Sequence, residues 1–177
     1  MERNLTLPLS EETIDELVIG DFVYLTGEMY VARDAAHKRL YELMGKGEPL
    51  PIDLKGICIY YMGPSPARTG RPIGSAGPTT ATRMDKYAPT FLDKGQKIMV
   101  GKGKRSKEVM DAIQRDHALY LAAIGGAGAL LSKCIKKSEI VCYEDLGAEA
   151  IRRIWVEDFP AIVVADCHGG NLYSRTN

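Results

Sequence analysis

The sequence predicts an α/β fold, a parallel sheet with crossover helices plus an antiparallel β element ahead of it. Two patterns carry this expectation. From Gly56 onward, short apolar runs alternate with segments of helical spacing, as in strands joined by helices. Before them, two strand-like runs flank Gly27 and Glu28, as in a hairpin. The composition agrees: 177 residues, 45% hydrophobic and 26% charged, suffice for one packed domain spanning residues 1–177.

Taken in order, Asp21–Thr26 and Met29–Ala32 read as the two arms of that hairpin. Asp34–Met44 places Ala36, Leu40, Leu43 and Met44 at helical spacing, with Asp34 as its cap. Gly45, Gly47, Pro49 and Pro51 end it. Gly56–Tyr61 reads as a strand, followed by the loop Gly63–Pro78, which holds four glycines and four prolines. A helix then carries Met84, Tyr87, Phe91 and Leu92 on one face. Lys97–Val100 is a strand, Ser106–Asp116 a helix capped by Ser106, and Ala118–Ile124 a strand. A short helix leads to the strand Glu139–Tyr143. Ile151, Ile154 and Trp155 have the spacing of one more helical turn, and Ala161–Ala165 is a final strand.

Lys plus Arg and Asp plus Glu both number 23, so the net charge is zero and a general nucleic-acid or anionic-membrane binder is not expected. The opening MERNLTLPLS lacks the apolar core of a signal peptide, and no apolar run reaches membrane-spanning length. A soluble, cytoplasmic chain is the expectation. The four cysteines, Cys58, Cys134, Cys142 and Cys167, form no CxxC pair and no metal spacing. Cys58 and Cys142 lie in apolar runs and read as small buried thiols.

Three stretches carry chemistry. The long loop Gly63–Thr82 runs into Arg83-Met84-Asp85. Its glycines allow close approach to a ligand, and Thr79, Thr80 and Thr82 bring hydroxyls and N–H groups to a helix start. Arg83 there opposes the helix dipole, which points to an anionic ligand; the plainer alternative is a solvated arginine on a structural loop. Second, Val100–Ser106, with Gly101-Lys102-Gly103, presents an ammonium at a strand end, or else forms a basic turn. It is not a phosphate loop, because Gly103 replaces the required Ser or Thr. Third, Arg33 falls at a strand-to-helix junction, where a guanidinium forks onto a carboxylate or simply faces Asp34. His37 reads as a helix-surface or packing residue rather than a base. His168, in Asp166-Cys167-His168-Gly169-Gly170, has no partner at ligand spacing, and a loop or subunit-contact role is expected. Gly126-Ala127-Gly128 resembles a dinucleotide fingerprint, but Leu131 replaces its third small residue.

Together, Ala32-Arg33-Asp34-Ala35-Ala36-His37, Gly77-Pro78-Thr79-Thr80-Ala81-Thr82-Arg83-Met84-Asp85, Gly101-Lys102 and Tyr143-Glu144-Asp145-Leu146-Gly147 resemble the β-subunit, or equivalently the C-terminal domain, of class I fumarases and tartrate dehydratases. The likeness runs from about Val18 to Tyr173. Ala32 departs from it, where the family more often has Gly. The resemblance implies a swivelling β/β/α domain and a hydro-lyase of the iron–sulfur type. It also implies a separate α-subunit bearing a [4Fe-4S] cluster through three cysteines, with no cofactor or metal on this chain. A homodimer of αβ units is compatible with it. By the same resemblance, Arg33, Arg83 and Lys102 bind the carboxylates of a dicarboxylate substrate and Thr79 is catalytic, at the reacting carbon. Fumarate hydration to malate, a step of the tricarboxylic acid cycle, is the leading expectation. GPTTATRMD and YEDLG lean towards it, while DCHGGNL resembles the tartrate enzyme as much. A non-catalytic anion-binding regulatory module is the alternative of another class.

The chemistry suits these residue types. Two arginines and a lysine can clamp two carboxylates and hold the substrate in line. Fixed cations also stabilise the electron-rich centre that proton removal leaves. A free threonine hydroxyl is a weak base and needs activation by a neighbour, expected from the α-subunit.

Overall fold

The computed structural model describes residues 2–62, 76–124 and 128–175. Among them, strands β1 (Glu2–Thr6), β2 (Phe22–Val31), β3 (Cys58–Tyr60), β4 (Ile98–Gly101), β5 (Leu119–Ala123), β6 (Ile135–Cys142) and β7 (Ile151–Ala165) form one sheet in the order β1-β2-β3-β4-β5-β7-β6. The pairs β1–β2, β2–β3, β3–β4 and β4–β5 are parallel, and β7 runs antiparallel to β5 and β6. β7 also pairs antiparallel with β2, which closes the sheet into a barrel-like ring. The helices are α1 (Glu11–Glu16), α2 (Asp34–Gly45), α3 (Ala88–Asp93), α4 (Lys107–Arg115) and α5 (Gly128–Ser132). None is long and apolar enough to cross a membrane.

The central strands are apolar at every position because both their faces are covered. Cys58, Tyr60, Ile98, Val100, Leu119 and Leu121 point into the ring and pack with Val23, Leu25 and Met29. Their alternates Ile59, Tyr61, Met99 and Tyr120 point outward, onto Leu40, Phe91, Val109 and Ile113 of the helices. Period-two alternation across a buried sheet thus makes two apolar layers. Ser106 caps α4 as its sequence position predicts, its Oγ accepting from Val109 N.

Several expectations need correction. The hairpin over 21–32 is the single strand β2. Gly27 does not turn the chain back; at φ 137° it sits at a register shift between Leu25 and Gly27, and a Cβ there would come within 2.9 Å of Leu7 Cβ. The helical turn at 151–155 is the first part of β7. Ile151 lies in the helix-side layer and Ile154 inside the ring, so a spacing of three places them on opposite sheet faces. β6 begins at Ile135, earlier than the expected Glu139. The single helix over Met84–Leu92 divides into a 3₁₀ turn, Ala81–Met84, and α3. Asp34 does not cap α2; Arg33 stands at the cap position without a side-chain bond. Ala35 N instead donates to Glu149 Oε1 at 3.1 Å. Cys58 is buried as expected, whereas Cys142 is only partly so.

Candidate active site

Four segments meet at the carboxyl edge of the parallel strands through backbone hydrogen bonds. Ala32 N, just past β2, donates to Tyr60 O (3.3 Å), and Thr79 N donates to Tyr61 O (2.7 Å). Lys102 N, just past β4, donates to Thr79 O (3.3 Å), and Ala81 N returns to Lys102 O (2.8 Å). Thr79–Ala81 therefore lies beside Gly101-Lys102 as a short extra bridge. This needs a glycine at 101, where a Cβ would stand 2.9 Å from Tyr61 Cδ2 and 3.3 Å from Thr79 O. Arg33, Thr79, Arg83 and Lys102 are thereby gathered on one rim, although 69 positions separate Arg33 from Lys102 in the numbering. In α/β folds, open or closed, the carboxyl ends of the parallel strands are a common place for ligands. Residues 63–75 of the expected loop, and Gly126-Ala127 of the partial dinucleotide fingerprint, lie outside the described residues.

Arg83 does not stand at a helix N-terminus against a dipole. It is the third residue of the four-residue 3₁₀ turn, and its Nε and Nη2 both reach Asp34 Oδ2 at 2.8 Å. Its counter-charge in this structure is Asp34, in the first turn of α2. Thr80, at the cap position of the 3₁₀ turn, makes no side-chain cap bond. Among the described residues, Arg33 Nε and Asp34 Oδ1 are buried without a hydrogen-bond partner. Lys102 is exposed and Thr79 half-buried.

Sequence reasoning missed the pair that fixes this rim. Arg105 Nε donates to Asp85 Oδ1 at 2.7 Å, and Asp85 Oδ2 accepts from Ser106 N at 2.7 Å. The Arg105 side chain is 1% exposed. Its guanidinium lies 4.7 Å from the Tyr120 ring centroid and 5.3 Å from that of Tyr61, whose hydroxyl accepts from Nη2 at 3.3 Å. Burial disfavours the charge of Arg105, and Tyr61 and Asp85 outweigh it, so its pKa stands above the ordinary guanidinium value. Burial likewise pushes the Tyr61 phenol up and keeps it neutral. The Thr79–Asp85 and Gly101–Ser106 segments are thus tied together at their far ends. The available sequence signal was Asp85 itself, the closing residue of the GPTTATRMD run.

His37 is a packing residue, as expected, though buried rather than on a helix surface. It is fully buried and stacks on Phe91 with centroids 4.7 Å apart and planes at 18°. Its Nδ1–H donates to Arg33 O at 2.8 Å, which holds the Arg33 backbone, and its Nε2 has no partner among the described residues. Burial lowers its pKa to about 4.

The four cysteines are free thiols: Cys58 and Cys167 buried, Cys134 and Cys142 partly buried. Among the described residues, one grouping of three or more metal-ligating side chains occurs, and it contains a single cysteine. A cluster held by three thiolates does not fit the donors of this chain.

The chain is, as a class, a mixed α/β domain whose parallel strands gather three cationic residues and a threonine at their carboxyl edge. The sequence model described as Fumarase C-terminus matches residues 2–176, and the chain belongs to that family. It is 44% identical over 167 residues to fumarate hydratase 2 of Leishmania major, covering 93% of this chain and 29% of that protein. It is 41% identical over 176 residues to the anaerobic class I fumarate hydratase of Escherichia coli K12, covering 97% and 32%. Against the β subunit of L(+)-tartrate dehydratase from the same strain, identity is 34% over 180 residues, covering 99% and 88%. The chain thus spans about a third of the fumarate hydratases it matches.

Proposed function

We propose that residues 1–177 act as one swivelling β/β/α domain, the β-subunit of a two-subunit cytoplasmic hydro-lyase that interconverts fumarate and malate. The observation that carries this reading is the meeting of Arg33, Thr79, Arg83 and Lys102 on one strand edge in a chain of the Fumarase C-terminus family. Arg33 and Arg83 bind the two substrate carboxylates, with Arg83 exchanging its Asp34 contact for the ligand. Guanidinium groups suit this because their planar fork matches a carboxylate. Lys102 adds a point charge that binds a carboxylate in ground state and transition state alike. Thr79 stands at the reacting carbon, where it takes up or returns that proton if a neighbouring group activates it.

The partner in this reading is a cluster-bearing α-subunit. Iron–sulfur chemistry is assigned to that subunit because the cysteines of this chain do not fit a cluster. The exposure of Lys102 and Arg83 supports a site completed by a second chain. A second reading, the β-subunit of a tartrate dehydratase, is favoured by the coverage of nearly the whole tartrate dehydratase β subunit. The same cations would clamp tartrate.

The test is to co-express and co-purify the chain with a cluster-bearing α-subunit and assay fumarate, malate and tartrate anaerobically. Fumarate–malate interconversion by the complex, and none by either part, is the expected result. Activity of the isolated chain, or an inert complex with a full cluster, sinks the proposal. Within the active complex, Lys102→Met should chiefly raise KM, while Thr79→Val should lower kcat and leave KM nearly unchanged. A Thr79→Val enzyme altered in KM alone would make Thr79 a binding residue.

A further inference from the structure

We infer that the opposite edge of the sheet holds a surface site for a zinc-class divalent cation, ligated by Asp15, His117 and Cys167. Asp15 Oδ1 lies 3.1 Å from His117 Nδ1 and 3.4 Å from Cys167 Sγ. The three donor atoms all fall within 4.8 Å of one another. Ligands about 2.0–2.3 Å from a tetrahedral ion stand roughly 3.3–3.8 Å apart, so these separations need only a small adjustment. One carboxylate, one imidazole and one thiol make a donor set typical of zinc, and too soft for magnesium or calcium.

The ligands arrive from three distant parts of the chain. Asp15 is on α1, His117 immediately precedes β5, and Cys167 immediately follows β7. Because β7 is antiparallel to β5, the start of one and the end of the other fall at the same edge. That edge is opposite the Lys102 rim, about 16 Å away across the five residues of β5. The inference is therefore independent of the proposed hydro-lyase activity.

The ligands are held before any ion arrives. Asp166, itself buried, accepts from Ile19 N, His168 N and Gly170 N at 2.9 Å each, which fixes the turn carrying Cys167 against the segment after α1. His117 adopts a left-handed backbone (φ 50°), uncommon for a residue other than glycine, and this conformation is the one in which its ring meets Asp15. The thiol lies at the buried floor of the group while Asp15 and His117 open to solvent, so an ion has a path in. His168 Nε2 stands 3.7 Å from the thiol, hydrogen-bonded to Asp15 O at 2.6 Å, and backs the ligand set. On binding, Cys167 loses its S–H proton to solvent and the thiolate takes the ion. Bound there, the ion ties α1 to β5 and β7.

Titration of the reduced, metal-stripped full chain with Zn²⁺ in a calorimeter, and with Co²⁺ in a spectrophotometer, tests the site. One ion per chain is expected, with a rise in Tm and, for cobalt, a thiolate charge-transfer band together with intense tetrahedral bands. Cys167→Ser should abolish the charge-transfer band. His117→Ala should weaken binding by at least about tenfold, the lower scale for disturbing a metal's surroundings. Cys134→Ser should change nothing. No binding by the parent, a thiolate band that survives Cys167→Ser, or one lost in Cys134→Ser overturns the site. Should Cys167→Ser fail to fold in the absence of metal, His117→Ala decides, because its ring lies on the surface and parent-like affinity in that variant also overturns the site.

Discussion

Arg105 and Arg83 each hold an aspartate at the same end of the sheet, at 2.7 and 2.8 Å, yet their surroundings differ. The Arg105 and Asp85 side chains are 1% and 12% exposed; those of Arg83 and Asp34 are 52% and 32%. In the first pair a buried cation has its hydrogen bonds spent on Asp85, Tyr61 and Met99, so it is committed to architecture. In the second pair, water competes for the Arg83 guanidinium, and the pair can open to admit a ligand at little cost. The same two residue types serve as a clamp in one place and as a replaceable contact in the other, and burial makes the difference.

The largest test of this contrast removes the buried guanidinium. Arg105→Ala leaves the Asp85 carboxylate with Ser106 N but no cation, and should cost about 3–5 kcal/mol of stability, read from urea unfolding at neutral pH. A loss below about 1 kcal/mol would mean that the two pairs are energetically alike.

His37 lies between the pairs and senses both. After burial, which dominates, and its bond to Arg33, Arg105 lowers its pKa and Asp34 raises it. Its folded value of about 4 lies below the ordinary 6.5, so between these values the unfolded chain binds the extra proton. Its contribution to stability is full above about pH 6.5 and is lost as pH falls towards 4, by on the order of 3 kcal/mol in total. Urea unfolding across that window should show the decline, and His37→Phe should flatten it. An unchanged slope in the variant would move the titration to another group.

Arg83→Lys sharpens the contrast from the functional side. Lysine keeps the charge but lacks the planar fork, so kcat/KM of the assembled enzyme should fall by at least about a hundredfold. Stability should change by less than about 1 kcal/mol, because the Asp34 pair is exposed. Kinetics within a few-fold of the parent would take Arg83 out of the site. The smallest effect belongs to Asp34→Asn, expected to shift the unfolding free energy by less than about 1 kcal/mol. A larger loss would make the exposed pair structural after all.

What the sequence determined by itself was local. Runs such as Cys58–Tyr60 and Ile98–Val100 announce strands covered on both faces, because a chain that is apolar at successive positions needs two dry faces. Ser106 announces a helix start, since its hydroxyl serves an N–H three residues on. The GPTTATRMD run pointed to the rim through resemblance, with Thr79, Arg83 and Asp85 already in it. The tertiary structure decided whatever depends on partners distant in the chain. Gly27 reads as a turn until β1 and β7 flank β2 and hold it straight. Ile151 and Ile154 read as one helix face until the sheet gives each a different layer. Arg105 is one more basic residue in KGKRS until burial leaves Asp85 as its carboxylate partner. Asp15, His117 and Cys167 lie too far apart in sequence for any spacing rule, and only the antiparallel return of β7 beside β5 brings them within reach of one ion. Local patterns fix what a residue can do alone; which charges and donors meet is set by chain closure over long separations, where the sequence leaves no periodic trace.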